Sequence, residues 1–543
     1  MTRPFRSALR TIAFVASLVL ASHPITQAGE PTLPHLVRKD GRHALIVDGA
    51  PFLILGGQCH NSSAWPSTLP RVWSAIEALH ANTLEVPISW EQFEPEPGRF
   101  DHAIVDELLA GARERKVRLV LLWFGTWKNG SAHYLPMWMK RQPELCPRIV
   151  GKDGRRVDSP SPHSPALLEA DSRAFRALMR HLKTADPQHT VIMVQVENEP
   201  GAWNTIRDYS PAAHKLFTAP VPAVLLQALG KGGRAGGDWT AVFGEDADEF
   251  FHAWSVARFV GQVAAAGKAE YPLPLYVNAA LRDPLSQPPA GTYESGGPTD
   301  NVLDVWKAAA PAVDLLAPDI YMDDSARHLK VLDLYSRPDN ALFVPETLSM
   351  PAFAKYFFAA LGQQAIGWAP FGVDYTAYAR SPLGAPRHNE ETLAPFALNY
   401  RLAAPIAREL ARLSFEGRLH SAVEEKDEHT QTIDLGRWKA VVTYGVPAFG
   451  FGREPRGNPE PVGRALVGEL GEDRFLVAGY FCRVDFQPKD AASGAQREYV
   501  RVEEGRYEGG VFRPIRIWNG DETDYGLNFS SAPQVLQVSL GTY

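Results

Sequence analysis

At 543 residues the chain exceeds one ordinary domain, so a barrel of roughly 250 to 400 residues plus a smaller unit is the default organisation. Its 45% hydrophobic, 22% charged and 10% aromatic residues supply ample material for a core and exclude a disordered chain. A formal net charge of -7, with no long block of Lys and Arg, excludes nucleic acid as a partner.

The chain opens with a basic stretch from Met1 to Arg10, an apolar run from Thr11 to Ala21 and the small-residue end Thr26-Gln27-Ala28. This pattern predicts a secretory signal peptide over residues 1–28 and export to the periplasm or beyond. The run is shorter than the roughly 20 apolar residues that span a bilayer, and no later stretch is apolar enough, so no membrane span is expected after cleavage. Cys59, Cys146 and Cys482 form an odd set without CxxC spacing, which argues against a metal site or a disulfide scaffold. One disulfide stays open, with at least one thiol left free.

Short, nearly continuous apolar runs follow, as expected of parallel strands buried on both faces. They are Phe52 to Gly57, Thr83 to Trp90, Arg118 to Gly125, Thr190 to Glu197, Leu275 to Asn278, Val313 to Pro318, Ala341 to Pro345 and Ala365 to Trp368. Between them lie helical patterns such as Pro70 to His80, Ile104 to Arg115, Arg173 to Leu182 and Glu249 to Gly267. Eight β-then-α units predict a (β/α)8 TIM barrel over residues 33–413, with its site at the C-terminal ends of the strands. After a helix over Leu393 to Leu413 the texture changes to alternating strands, such as Trp438 to Tyr444, Arg474 to Tyr480 and Val535 to Leu540, separated by turns such as Phe451 to Pro459. These predict a smaller antiparallel β domain, sandwich-like, over residues 414–543. It reads first as a packing module for the barrel and second as a carbohydrate-binding module.

The sharpest local signal is Val194-Gln-Val-Glu-Asn-Glu-Pro-Gly-Ala-Trp203, a buried run that ends in carboxylates and an amide where a barrel strand opens into a loop. Ideal alternation places Glu197 and Glu199 on one face, but alternation fails at a rim. A second acid, Glu346, follows the apolar run Leu342 to Pro345 of the seventh unit. Carboxyls at the tops of two barrel strands suit glycosidic bond cleavage, in which one neutral acid protonates the leaving oxygen and one anion attacks or activates water. For either glutamate alone, a helix cap or a salt bridge is an equal reading; the pair favours chemistry.

Asn198-Glu199 on the fourth strand with Glu346 on the seventh resembles the retaining glycosidase superfamily that pairs its carboxylates in this way. More narrowly, Asp48 to Gly57, Trp90 to Gly98 and Val194 to Glu199 resemble glycoside hydrolase family 35, the β-galactosidases. Tyr271 to Asn278, Leu316 to Tyr321 and the added C-terminal domain are similar to a bacterial branch of that family. The resemblance implies a retaining, exo-acting enzyme that removes terminal non-reducing β-D-galactose from plant-type side chains such as those of xyloglucan. It implies Glu199 as acid/base, Glu346 as nucleophile, Tyr321 as a donor to Glu346 and Asn198 as the partner of the sugar 2-hydroxyl; for Tyr321 a buried structural tyrosine is an equal reading. Two positions depart from the family pattern: Asn61 follows His60 where the family has Tyr, and Thr126 precedes Trp127 where it has Glu. Both family residues hold galactose, so arabinopyranose enters as an alternative sugar.

Trp127, Trp203 and Trp368 lie at predicted strand ends, where a ring face would stack on a pyranose; each is otherwise a core residue, and Trp368 is the first choice as platform. Glu94 and Glu96 are explained by a Pro-flanked rim loop, and Asp319 is left without a role. Double displacement needs no metal and no organic cofactor. The expected partner is a carbohydrate substrate, and nothing in the sequence sets the oligomeric state. The rival readings are an α-L-arabinopyranosidase, a β-glucosidase, a transglycosylase, and a non-catalytic carbohydrate-binding protein.

Overall fold

The computed structural model describes Met1 and residues 32–374, 390–445, 456–490 and 494–543. The expected signal peptide, apart from Met1, and most of the turn from Phe451 to Pro459 lie outside the described residues.

Three short antiparallel strands, His35–Lys39, Arg42–Val47 and Ala50–Phe52, come first. Their turns are Asp40-Gly41 and Asp48-Gly49, all four residues with φ between 51° and 75°, the conformation that tight hairpins require. Leu45 and Val47 of this sheet pack with Ile54, Val120, Leu122, Ile192, Tyr276 and Phe343 in a core inside the barrel.

The barrel strands are β1 (Ile54–Gln58), β2 (Thr83–Ser89), β3 (Arg118–Lys128), β4 (Val191–Asn198), β5 (Leu275–Ala280), β6 (Leu315–Ile320), β7 (Phe343–Val344, resumed as Glu346–Thr347) and β8 (Gly367–Trp368). Each falls on one of the eight apolar runs. They pair in parallel in the order β8, β1, β2, β3, β4, β5, β6, and β7 closes the ring. Pro345, which has no N–H, splits β7 into a first half paired with β8 and a second half paired with β6. This split brings Glu346 into register with Asp319.

Each barrel strand is followed by a helix. Leu69–Leu79, Ala103–Arg115, Pro165–Ala185 and Ala247–Lys268 follow β1 to β4; Leu303–Ala309, Ser325–Tyr335, Tyr356–Gly362 and Glu390–Ala403 follow β5 to β8. Buried faces of these helices meet the outward faces of the strands in one continuous core. The single helix expected over Leu393 to Leu413 is instead two, Glu390–Ala403 and Ala407–Phe415, because Pro405 lies in the 3-10 turn Ala404–Ile406 between them.

Two antiparallel sheets complete the chain. One has six strands in the order Leu419–Val423, Arg464–Gly471, Arg474–Tyr480, Val535–Thr542, Arg497–Glu508 and Val511–Ile517; the other has four, Thr430–Leu435, Trp438–Tyr444, Cys482–Pro488 and Leu527–Phe529. Alternation sorts their side chains. Ala465 and Val467 face the second sheet, with Trp438, Phe475 and Phe486, whereas Leu466, Leu476 and Tyr480 join the barrel core. Arg464, 2% exposed, ties the two units together: its Nε donates to Asn399 Oδ1 at 2.9 Å and its guanidinium lies over the Tyr480 ring. All three cysteines are buried free thiols. Among the described residues no helix is long and apolar enough to cross a membrane.

Candidate active site

The site lies where the C-terminal ends of β1, β3, β4, β5, β6 and β7 converge. Glu346 is 3% exposed and is held by donors from four other strands or their ends. Its Oε1 accepts from Gln58 Nε2 at 2.9 Å, Asn198 Nδ2 at 3.1 Å and Asn278 Nδ2 at 3.4 Å. Its Oε2 accepts from the Tyr321 hydroxyl at 2.6 Å. Both oxygens are thereby fixed, so the carboxylate is held in one orientation.

The fourth strand separates its two acids by a backbone device. Glu197 has φ 65° and Glu199 has φ 43°, left-handed conformations that cost a non-glycine residue about 1 to 2 kcal/mol each. The strand leaves its extended path there, so Glu197 and Glu199 do not share a face. Glu197 turns outward, where its Oε2 accepts from the Trp127 N–H at 2.7 Å and it adjoins Asp171. Burial and the Asp171 charge push its pKa well above the usual carboxylate range. Glu199 turns into the site; its backbone N–H donates to Asn278 Oδ1 at 2.9 Å.

One oxygen each of Glu199, Asp319 and Glu346 lie within 4.8 Å of one another. Burial pushes the Glu199 pKa up to about 7; Lys128 opposes the rise and Glu346 adds to it. The result is a carboxylic acid poised near neutrality beside a second, rigidly held carboxyl.

Lys128 sets the orientation of Asn198. The β3 strand runs three residues past the expected Gly125, which places the Lys128 ammonium 2.6 Å from Asn198 Oδ1. The amide oxygen therefore faces Lys128 and the amide nitrogen faces Glu346. Gln58, Asn278 and Lys128 are site residues that the sequence reading did not single out. Their signal was the one that marked Glu199, a polar side chain ending an apolar strand.

The remaining expected residues scatter. Asn61 is half-buried on the loop after β1, beside His60, whose Nδ1 is 2.7 Å from Asp374 Oδ1. Trp203 is 45% exposed and lies in the loop after β4, near Glu294. Trp127 and Trp368 are each 1% exposed. Trp127 packs edge-on to Phe259, and Trp368 stacks on Phe396 and tilts against Phe357. A sugar platform needs an open ring face, so the choice of Trp368 is corrected: of the three, Trp203 is the one open to solvent. Glu94 accepts from Trp90 Nε1, the Gly98 N–H and Arg173, a loop brace as expected.

A TIM barrel with two glutamates facing each other at the ends of its fourth and seventh strands, one braced by amide and tyrosine donors, has the arrangement of carboxyls that glycosidic bond cleavage requires. Comparison with known proteins narrows this. Residues 60–256 match the family model described as Beta-galactosidase, glycoside hydrolase family 42. Residues 396–530 match a domain of unknown function, DUF5597. The expectation of family 35 is corrected by the first match: it is the family 42 model that matches the first half of the barrel, residues 60–256, and the short motifs behind the expectation do not discriminate between families that share a barrel and a carboxylate pair.

Among curated proteins, the chain is 27% identical over 211 residues to human "Beta-galactosidase-1-like protein 3", covering 35% of this chain and 28% of that one. It is 28% identical over 173 residues to a "Beta-galactosidase" of Xanthomonas manihotis, covering 29% and 25% respectively. The matched part thus spans about a quarter of the length of these relatives. Among solved structures, the β-galactosidase of Bacillus circulans sp. alkalophilus aligns at 14% identity and a TM-score of 0.47, covering 66% of this chain and 57% of that one. A family 42 β-galactosidase from G. stearothermophilus aligns at 15% identity and a TM-score of 0.45, covering 67% and 58%.

Proposed function

We propose that the protein is a retaining β-galactosidase that removes terminal, non-reducing galactose by double displacement. The observation that carries this reading is the pairing of Glu346, fixed by four donors, with Glu199, whose carboxyl holds its proton up to about pH 7 and has an oxygen within 4.8 Å of Glu346. Inverting enzymes hold their carboxyls about 6.5 to 9.5 Å apart to admit a water, whereas retaining enzymes hold them about 5 to 5.5 Å apart. The approach of one oxygen of each to within 4.8 Å leaves direct attack by Glu346 open, and the released anomer decides between the two courses.

In this mechanism Glu199 protonates the glycosidic oxygen while Glu346 attacks the anomeric carbon; Glu199 then takes a proton from the water that releases the sugar. Asn198, oriented by Lys128, keeps one amide hydrogen on Glu346 and is placed to meet the 2-hydroxyl. Exo action is supported by loops laced together on one side of the site. The Gly130 N–H donates to the Glu199 carbonyl at 2.9 Å, and Ala202 bridges Ser295. A closed side suits one terminal sugar better than a through-running polymer.

The test is hydrolysis of nitrophenyl β-D-galactopyranoside beside the α-L-arabinopyranoside, β-glucoside and β-xyloside, with the released anomer followed by proton NMR. Selective galactoside cleavage with β-galactose as first product is expected; α-galactose as first product would sink the mechanism, and a preferred arabinoside would reassign the sugar. Galactosylated xyloglucan oligosaccharides extend the test to plant side chains.

Glu197→Gln is expected to keep kcat within about threefold of wild type, because a protonated, buried carboxyl and an amide make nearly the same contacts. A collapse in kcat with an unchanged thermal melt would show that Glu197, and not Glu199 alone, takes part in the chemistry.

A further inference from the structure

Asp319 stands at the end of β6, its Cα in register with Glu346 of β7 and with Ala280 of β5. In-register residues of neighbouring parallel strands point the same way, so the β7 pairing that delivers Glu346 delivers Asp319 beside it. The Asp319 side chain is 2% exposed. Its Oδ2 accepts from Asn278 Nδ2 at 2.6 Å, while Oδ1 is buried with no donor directed at it. One oxygen each of Asp319 and Glu199 lie within 4.8 Å of one another, which makes the two carboxyls direct neighbours.

Two carboxylates cannot hydrogen-bond each other, so this contact requires a proton. The charge balance gives the same answer. The groups facing the pair are Glu346 from β7, Tyr321 from β6, Tyr276 from β5, Lys128 from β3 and, beyond Glu199, Glu294 from the loop after β5. Lys128 is the cation of this group, and one ammonium cannot balance the four carboxyls of Glu199, Asp319, Glu346 and Glu294. Burial, with the Glu346 and Glu199 charges, pushes the Asp319 pKa well above the usual range.

We propose that Asp319 is a positioning residue for the glycosidase reaction assigned above: it remains a neutral carboxylic acid, accepting from Asn278 through Oδ2 and donating its Oδ1 proton in a hydrogen bond to Glu199 whenever Glu199 is a carboxylate. The proton stays on Asp319 throughout. Glu199 alone exchanges a proton with leaving group and water, and Asp319 stabilises the base form that Glu199 takes on the covalent intermediate. The inference rests on the proposed function for its kinetic consequences and on the geometry for its protonation state.

Asparagine at 319 reproduces the neutral acid, with Oδ1 accepting from Asn278 and Nδ2 donating to Glu199. Leucine has the same branching, is larger, and does neither. In the full-length chain, Asp319→Asn is expected to keep kcat within about threefold, and Asp319→Leu to lose about 10- to 100-fold, the worth of a hydrogen bond to a charged group. Loss of that donor raises the proton affinity of Glu199, so the basic limb of the pH profile moves upward in the leucine variant and stays in place in the asparagine variant. Asp319→Ala, read with the thermal melt, separates overpacking by leucine from loss of the donor.

Asp319→Asn as damaging as Asp319→Leu would mean that the group works as an anion and would overturn the inference. So would leucine and alanine variants with wild-type rates and pH profiles. If wild type cleaves no glycoside, the proposed function fails instead, and infrared difference spectroscopy decides the inference alone: loss of one protonated-carboxyl component at pH 7 in Asp319→Asn relative to wild type supports it, and loss of an ionised-carboxylate component instead overturns it.

Discussion

Glu346→Gln is expected to lower kcat on a nitrophenyl β-galactoside by roughly 10⁴-fold or more, the scale of loss when a nucleophile is removed and the rest of the site is left in place. The substitution is nearly isosteric, and the site tolerates it. The amide oxygen can keep the Gln58, Asn198 and Asn278 donors, and the Tyr321 hydroxyl, which now donates to Oε2 at 2.6 Å, can rotate to accept from the new N–H. The thermal melt should therefore stay close to wild type, which separates lost chemistry from lost fold. Residual turnover within tenfold of wild type would remove Glu346 from the role of nucleophile and, with it, the double displacement.

Glu199→Gln has a different signature, because acid catalysis matters in proportion to how poor the leaving group is. On an unactivated galactoside the loss is expected to be about 10² to 10⁴-fold. On an activated aryl galactoside the first step survives, the second step loses its base, and a burst of aryl alcohol precedes a slow steady state. Added azide, an anion that attacks without a general base, should relieve the slow step and give a β-galactosyl azide. In wild type the acid form is the active one for the first step. With a pKa of about 7, kcat/KM should fall above that pH, by about tenfold per unit once Glu199 is ionised. The basic limb should vanish in Glu199→Gln, and a variant that keeps it would assign the limb to another group.

Much of this was legible in the chain. The eight barrel strands fall on eight apolar runs because a strand buried on both faces is recorded locally, residue by residue. The Asp-Gly hairpins, the breaks at prolines and the alternating C-terminal strands are local in the same sense. The two strand-end acids, Glu199 and Glu346, were also visible, since a carboxylate that ends a buried run is out of place unless it has a task.

What closes the site was not legible. Gln58 and Glu346 are 288 residues apart in sequence and 2.9 Å apart in space. Nothing in either neighbourhood names the other, because their meeting depends on barrel closure through the two halves of β7. Side-chain alternation alone did not separate Glu197 from Glu199; positive φ values at the strand end turn one toward Trp127 and Asp171 and the other into the site. The same holds for Asp319, given its neighbours by strand register, and for Trp368, turned into the core by Phe396 and Phe357. Sequence by itself determined which segments are buried and where polar groups end them, since burial is a local property of side chains. Register and ring closure, which are collective properties of packing, decided which of those groups face one another.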